Sequence, residues 1–401
     1  MFGRGLRRRE EMPAHPANLL AVITLWVMED RPFSLDLSLV GAMLGEARAL
    51  GPNAQVEVYS LAWRRAWSRL RVAIPEGALP DVLEVGTTWL PALIALGILV
   101  PAGAERPRRP RWPQRQGEEG RYGIPWRWDM RFLYYSPSEL ARIGMRPADL
   151  ATMAGLKEAA RRVRDGGRRE AIALCGKPEP TLVQEAAAWV WAEGGEFLAT
   201  GGQGGLFPDA PGFRGLMNLL SWVRDGLLAP SALEQGAVEV LDRFAAGEYA
   251  FVLASSLSVP ADGTGEPDIS AVPVPVGRSA RTTFSGGSYL TVTRCSPDPA
   301  RAWETLEHLM TRMRPAFAAH HQANRQLIRS ACAEAGLALS AGGFLADRLH
   351  GMPRLPVWAS MESHLADALA DWLREARRGR LESLEREVGA LARDLARAAA
   401  L

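Results

Sequence analysis

The first hundred residues alternate between strand and helix signals, and this constrains the fold more than any other feature of the chain. Ala21-Val22-Ile23-Thr24-Leu25-Trp26-Val27 is an unbroken β-branched and apolar run, the mark of a strand covered on both faces. Leu39, Val40, Met43, Leu44, Ala47 and Leu50 then share one helical face, ended by Gly51-Pro52. A second strand follows at Val56-Glu57-Val58-Tyr59, then a helix over residues 64–74 that Pro75 is expected to stop. Asp81-Val82-Leu83-Glu84-Val85 predicts a third strand, opening at Gly86 into a helix over residues 89–99. Strand–helix alternation of this kind predicts an α/β fold with a mostly parallel, doubly wound sheet. Such sheets bind ligands beyond the carboxyl ends of their strands. The positions to watch are therefore Glu29-Asp30, the stretch from Ser60 to Trp63, and the stretch from Gly86 to Trp89.

The remainder reads as a second unit of the same kind. Residues 104–120, rich in Pro, Arg, Gln and Gly, predict a surface loop, and residues 122–135 an aromatic strand. Helix signals over 156–163 and 182–192 flank a strand at 171–174, and Gly194-Gly195 ends the second helix. Helices are expected near 213–225 and 233–246, and strands at 249–253, 272–276 and 288–293, with the rest mostly helical. A loop-like segment from Ser255 to Asp268 is where the chain is expected to cross back. No internal repeat is found, and 401 residues suit two or three domains.

Composition removes several function classes. Forty-seven basic and 45 acidic residues are interspersed for a net charge of +2, which leaves no nucleic-acid footprint. Arg7-Arg8-Arg9 and the cluster from Arg106 to Arg115 read as short solvated runs. Cys175, Cys295 and Cys332 are far apart and lack a CxxC, so neither a structural zinc site nor a redox motif is expected. No GxSxG, HExxH, Walker A or metal-spaced His/Cys set occurs. Gly201-Gly202-Gln203-Gly204-Gly205 follows a helix rather than a strand and makes a poor phosphate cradle; the adjacent His320-His321 cannot converge on one metal. The chain is thus not expected to be an enzyme, and no cofactor and no metal are expected. No run reaches the roughly 18 apolar residues that span a bilayer. The basic residues before Met12 and the apolar run from Leu19 to Met28 mimic a leader, but Glu29-Asp30-Arg31-Pro32 follows instead of a small-x-small cleavage site. No signal peptide is recognised there.

The order of motifs resembles the extracellular solute-binding protein family of ABC importers, of the carbohydrate-binding type similar to maltose-binding protein. Five stretches carry the likeness. They are Ile23-Thr24-Leu25-Trp26-Val27; Pro80-Asp81-Val82-Leu83-Glu84-Val85-Gly86 running through Trp89 to Leu96-Gly97-Ile98-Leu99; and Tyr122-Gly123-Ile124-Pro125-Trp126 with Leu133-Tyr134-Tyr135. Phe244-Ala245-Ala246-Gly247-Glu248-Tyr249-Ala250-Phe251 is the fourth, and Phe284-Ser285-Gly286-Gly287-Ser288-Tyr289-Leu290 with Asp298-Pro299-Ala300-Arg301-Ala302-Trp303 the fifth. The resemblance implies a two-lobed periplasmic-binding-protein-like fold, each lobe a mostly parallel sheet flanked by helices, with a hinge between them. The implied division is 18–127 for the first part of the N-terminal lobe and 128–258 for the first part of the C-terminal lobe. Residues 259–296 return to the N-terminal lobe and 297–401 form the helical remainder of the C-terminal lobe. Function follows as a monomeric, extracytoplasmic component that binds a mono- or oligosaccharide in the cleft, closes on it and delivers it to membrane permease subunits. The alternative is a cytoplasmic or tethered sensor of the same fold that signals to a partner protein. Three departures are visible: no leader or lipoprotein cysteine is recognisable, Ser255-Ser256-Leu257 stands where many members carry a tryptophan, and the region after Met313, from His320-His321 to Ser340, has no clear likeness to the family's usual stretch.

Sugar recognition needs a flat aromatic face for the C–H surface and polar groups for the hydroxyls, since each buried hydroxyl left unpaired costs about 1–3 kcal/mol. Thirteen tryptophans are enough for core and site together. Trp89, just past the third strand, is the leading candidate, with packing under the loop as its other reading. Asp129 comes next, as an acceptor of ligand hydroxyls or as a strand-end partner of Arg131. Trp126 and Trp128 share one strand face and line either the cleft or the core. Glu29 and Asp30 follow the first strand, and Trp63 follows the second. Gly286 and Gly287 either admit a ligand close to the backbone or form a strand-entry turn. Trp358 is similar to a C-terminal-lobe aromatic contact of the family. Trp189 and Trp191, two apart on a helix, offer at most one ring to a cleft, and Trp222, Trp303 and Trp372 read as core.

Overall fold

A computed structural model describes residues 22–28, 35–49, 55–103, 118–198, 207, 210–256, 268–338 and 347–398. In chain order its first elements are β1 (Val22–Met28), α1 (Leu35–Ala49), β2 (Gln55–Leu61), α2 (Trp63–Glu76), β3 (Val82–Gly86), α3 (Leu90–Ala95), β4 (Leu99–Val100) and β5 (Gly123–Tyr135). There follow α4 (Pro137–Arg142), α5 (Met153–Gly166), β6 (Glu170–Ala173), α6 (Pro180–Ala192), α7 (Ala210–Arg224), α8 (Ala237–Ala245), β7 (Tyr249–Ser255) and β8 (Ser270–Pro273). The chain ends with β9 (Thr283–Thr293), α9 (Pro299–Arg312), α10 (Arg314–Glu334), β10 (Leu349–His350), α11 (Trp358–Arg377) and α12 (Leu381–Ala398). Two compact units share these elements: Met1–Trp128 with Gly287–Gln322, and Asp129–Gly286 with Ala323–Leu401.

In the first unit β1 pairs in parallel with β2 on one side and β3 on the other, and β9 runs antiparallel to β3. Every residue of β3 is buried, as a strand packed on both faces requires. One face is covered by Leu39, Val40, Met43 and Ala47 of α1 and by Ala302, Trp303, Leu306 and Leu309 of α9. Two buried carboxylates fix strand register. Asp81 accepts the Thr24 N–H (2.8 Å), the Thr24 hydroxyl (2.7 Å) and the Ser296 hydroxyl (2.5 Å) at the start of β3. Glu84 serves near its end. The expected stop at Pro75 does not occur: α2 runs one residue past it and closes on Gly77, whose left-handed φ of 63° lets its N–H reach back to the last turn. A proline in the final turn forfeits one backbone bond, and the glycine two residues later decides the end. The third helix is shorter than its apolar run suggests, because Leu99 and Val100 pair with β9 as β4.

In the second unit the sheet order is β6-β7-β5-β8, with β6 and β7 parallel and β5 antiparallel to both β7 and β8. Helices α6, α7 and α11 pack on one another. Gly215 of α7 permits this closeness, because a Cβ there would lie 2.5 Å from the Trp189 carbonyl oxygen. The helix expected over 233–246 is broken into a 3-10 turn (Pro230–Glu234) and α8.

Both β7, before the expected return loop, and β8, after it, pair with β5 in the second unit. The chain therefore changes unit at Gly286/Gly287 rather than near residues 255–262, and α9 belongs to the first unit rather than to the C-terminal remainder. Gly287 adopts φ 138°, a backbone conformation that a side chain would strain. It is a strand-interior pivot in β9, not an entry turn.

Candidate functional site

In the first unit the carboxyl ends of β2 and β3 gather an aromatic cluster. Trp63 opens α2 directly after β2, and Trp89 caps α3 directly after β3. Their ring centroids are 5.5 Å apart with planes at 55°. Trp67, one helical turn after Trp63, brings its ring to 5.5 Å from Trp89 at 37°. Gly86 keeps the strand end open to these rings: a Cβ there would sit 3.5 Å from Trp63 and 3.7 Å from Trp89. Trp89 is 3% exposed, whereas Trp63 and Trp67 are half-buried. Trp89 is packed against the other two rings, and the accessible aromatic surface belongs to its neighbours.

Beneath this edge lies a charge pair. Glu84 accepts the Met28 N–H at 2.7 Å and the Ser288 hydroxyl at 2.6 Å. Arg127 approaches it at 3.4 Å and donates to the Met28 carbonyl at 2.7 Å. Burial drives the Glu84 carboxyl up, and Arg127, the Met28 N–H and Ser288 pull it back. The last residue of β1 is thereby clamped through both its backbone groups. Glu29 and Asp30, which follow it, lie outside the described residues.

The second unit answers with polar groups. Asp129 accepts the Ser255 hydroxyl on Oδ1 and Arg131 Nη1 on Oδ2, each at 2.6 Å. Arg131 also donates to Gln184 Oε1, and its guanidinium lies 5.3 Å over the Phe284 ring. The Asp129 side chain keeps 14% of its surface, Arg131 only 7%. Asp129 is paired with Arg131, the second of its two readings, and a carboxylate with two acceptor sites per oxygen retains capacity for further donors. Behind the pair, wholly buried Glu185 of α6 accepts the Cys175 N–H at 2.8 Å. Burial pushes its carboxyl up to about 8 against the pull of Arg131.

The other sequence candidates are placed differently. Trp126 is 1% exposed in the first unit's core, edge-on to Phe317 at 5.3 Å, and Trp128 is buried as well. Gly286 is buried, and the Gly287 carbonyl accepts the Thr87 N–H at 2.9 Å, tying β9 to the β3–α3 turn. Trp358 has no exposed surface; its ring packs 5.8 Å from Phe197, so as the first residue of α11 it anchors the helix in the core and offers no face to a ligand. Trp189 and Trp191 are likewise both core, against Trp222 and His350. Sequence reasoning missed Trp67, Gln184 and Ser255. Trp67 carried a readable signal, since it sits four residues after Trp63 on the flank of the Ala66, Leu70, Ala73 stripe.

Among the described residues no group of three His, Cys, Asp or Glu side chains is placed to hold a metal, and no helix is long and apolar enough to cross a membrane. The Trp63–Trp67–Trp89 cluster offers stacking, and Asp129 and Arg131 offer hydrogen bonding. No curated protein matches the chain in sequence. Solved structures do. An ABC transporter solute-binding protein of Thermotoga lettingae, bound with α-D-tagatose, matches with a TM-score of 0.73 at 17% identity, covering 94% of this chain and 99% of that one. A putative oligosaccharide periplasmic-binding protein of Synechococcus matches at 0.71 and 18% identity, with 94% and 99% covered. Maltose-bound MalE3 of T. maritima matches at 0.68 and 16% identity, with 92% and 99% covered. At such identities the likeness establishes the fold, the two-lobed α/β fold of periplasmic binding proteins. The family follows from the sequence itself: a model of the bacterial extracellular solute-binding proteins matches residues 46–323, and this chain belongs to that family.

Proposed function

We propose that the chain captures a carbohydrate for an ABC importer, acting outside the cytoplasm as a monomeric binding protein without catalysis and delivering its ligand to permease subunits. The observation that carries this reading is that the chain holds both chemistries a sugar needs, one in each unit. The tryptophan cluster of the first unit suits the C–H face of a sugar ring, and Asp129 with its Arg131 and Ser255 partners suits hydroxyls. Membership of a family of binding proteins supports it, as do fold relatives whose own ligands are tagatose and maltose. The hinge closure expected from the sequence belongs to the same proposal.

Thermal-shift measurements against a sugar panel test the reading. A ligand at a hundred times its dissociation constant adds about 2.7 kcal/mol to folding stability. Small-angle scattering should then register a smaller radius of gyration with the bound sugar, and an unchanged value at saturation would remove the closure. Fractionation of source cells should find the chain outside the cytoplasm; a wholly cytoplasmic pool would favour the sensor.

A further inference from the structure

Thirteen tryptophans serve very different ends in this molecule. Trp112 lies outside the described residues, and of the other twelve, ten are buried at 7% exposure or less. The two that keep a solvent-facing surface are Trp63 and Trp67. They are neighbours four residues apart on α2, so their Cα atoms are offset by about 6 Å along the helix axis. Both rest on the same third ring, Trp89, with centroids 5.5 Å away. Trp67 also carries an Nε1–H shielded from solvent with no partner among the described residues.

Large aromatic surface left outside a core that has buried ten other indoles marks a recognition surface rather than leftover packing. One indole is enough to stack on one pyranose. Two, whose Cα atoms are offset by roughly 6 Å along one helix and whose rings are braced on a common third, offer a longer aromatic surface than one ring needs. We infer that Trp63 and Trp67 form a two-ring platform and that the ligand is a saccharide of at least two rings, with Trp67 the residue that discriminates it from a monosaccharide. This inference rests on the carbohydrate reading proposed above. Trp89, with almost no exposed surface, is a positioning residue that fixes the angle and spacing of the pair.

The test is calorimetric titration of the whole chain with glucose, galactose, mannose and tagatose as single rings, maltose, laminaribiose, cellobiose and trehalose as two, and maltotriose as three. The expected result is a two- or three-ring ligand bound at least tenfold more tightly than any single ring, about 1.4 kcal/mol or more. Trp67→Ala should then erase most of that advantage, with about tenfold weaker binding of the larger sugar and monosaccharide affinity within about twofold of the parent. Trp67→Phe, which keeps a ring, should restore the preference, and the unliganded melting curves of both variants separate lost contact from lost fold. A single-ring sugar that binds as tightly as the larger ones, or a Trp67→Ala variant that leaves their ratio unchanged, would overturn the inference alone. No binding by any member of the panel to the folded chain would overturn the carbohydrate reading and the inference with it.

Discussion

The two units carry unlike chemistry. At the strand ends of the first, three tryptophans lean on one another above a buried Glu84–Arg127 pair whose charges are spent on holding β1 and β3. In the second, the charged pair Asp129–Arg131 lies within β5 with only the Asp129 carboxylate partly accessible, and the aromatic rings of Trp189, Trp191 and Trp358 are core. The difference lies in where each unit places its polar groups relative to its apolar ones. Rings recognise a ligand's outline with little entropy loss, whereas a carboxylate fixed by two donors recognises the direction of a hydroxyl. A charge that must be buried is useful only as scaffolding, because removing its partner leaves it uncompensated.

That contrast can be broken first at the scaffold. Arg127→Met strands the Glu84 carboxylate in the first unit and should cost about 3–5 kcal/mol in denaturant unfolding. A loss under about 1 kcal/mol would mean that the pair does not brace the strand ends.

Next in size is a pH effect confined to the second unit. The Glu185 carboxyl, near 8 in the folded chain, is raised above its ordinary unfolded value of about 4.3, so folding takes up a proton. Stability from this group is fully present below about pH 4 and is lost as pH rises through about 8. Glu185→Gln keeps an acceptor for the Cys175 N–H and carries no charge. It should be more stable than the parent by on the order of two to four kcal/mol at pH 9, with the difference falling to about 1 kcal/mol at pH 5. Parallel pH–stability curves for the two proteins would contradict the burial of a neutral acid there.

A smaller effect sits where the chain passes between units. Gly287→Ala places a side chain at φ 138° and should cost about 1–3 kcal/mol, while Gly247→Ala, in the tighter left-handed region at φ 81°, serves as the comparison. An unchanged melting temperature for Gly287→Ala would show that the β9 backbone relaxes freely at this point.

Much of the first unit was legible because its signals are local. The run from Val22 to Val27, the helical face of Leu39, Val40, Met43 and Ala47, and the stretch from Asp81 to Val85 each form the element their spacing predicts. The end of α2 was misjudged because Pro75 is conspicuous and Gly77 is not, though the left-handed glycine governs. The second change of unit is hidden for a related reason: Ser285-Gly286-Gly287-Ser288 has the composition of a turn yet lies inside β9, while the stretch after Ser255 is the more loop-like in sequence. At the site, sequence position identified which strand ends matter but not which ring lies on top. Trp89 is buried against both neighbouring rings, and Trp67, one turn after Trp63 on α2, is left partly accessible. Exposure within a cluster is a tertiary property, and no pattern along the chain encodes it. The same holds for Gln184 and Ser255, which reach Arg131 and Asp129 across 53 and 126 residues.

The central proposal is that this chain captures a carbohydrate, with Trp63 and Asp129 among the residues that touch it, and titration of the tightest-binding sugar into Trp63→Ala, Asp129→Asn and the double variant tests it most directly. The account predicts about tenfold or greater weakening from each single change, with the unliganded Asp129→Asn protein within about 1 kcal/mol of the parent in stability, as suits a partly exposed pair. Parent-like affinity in both single variants would contradict it.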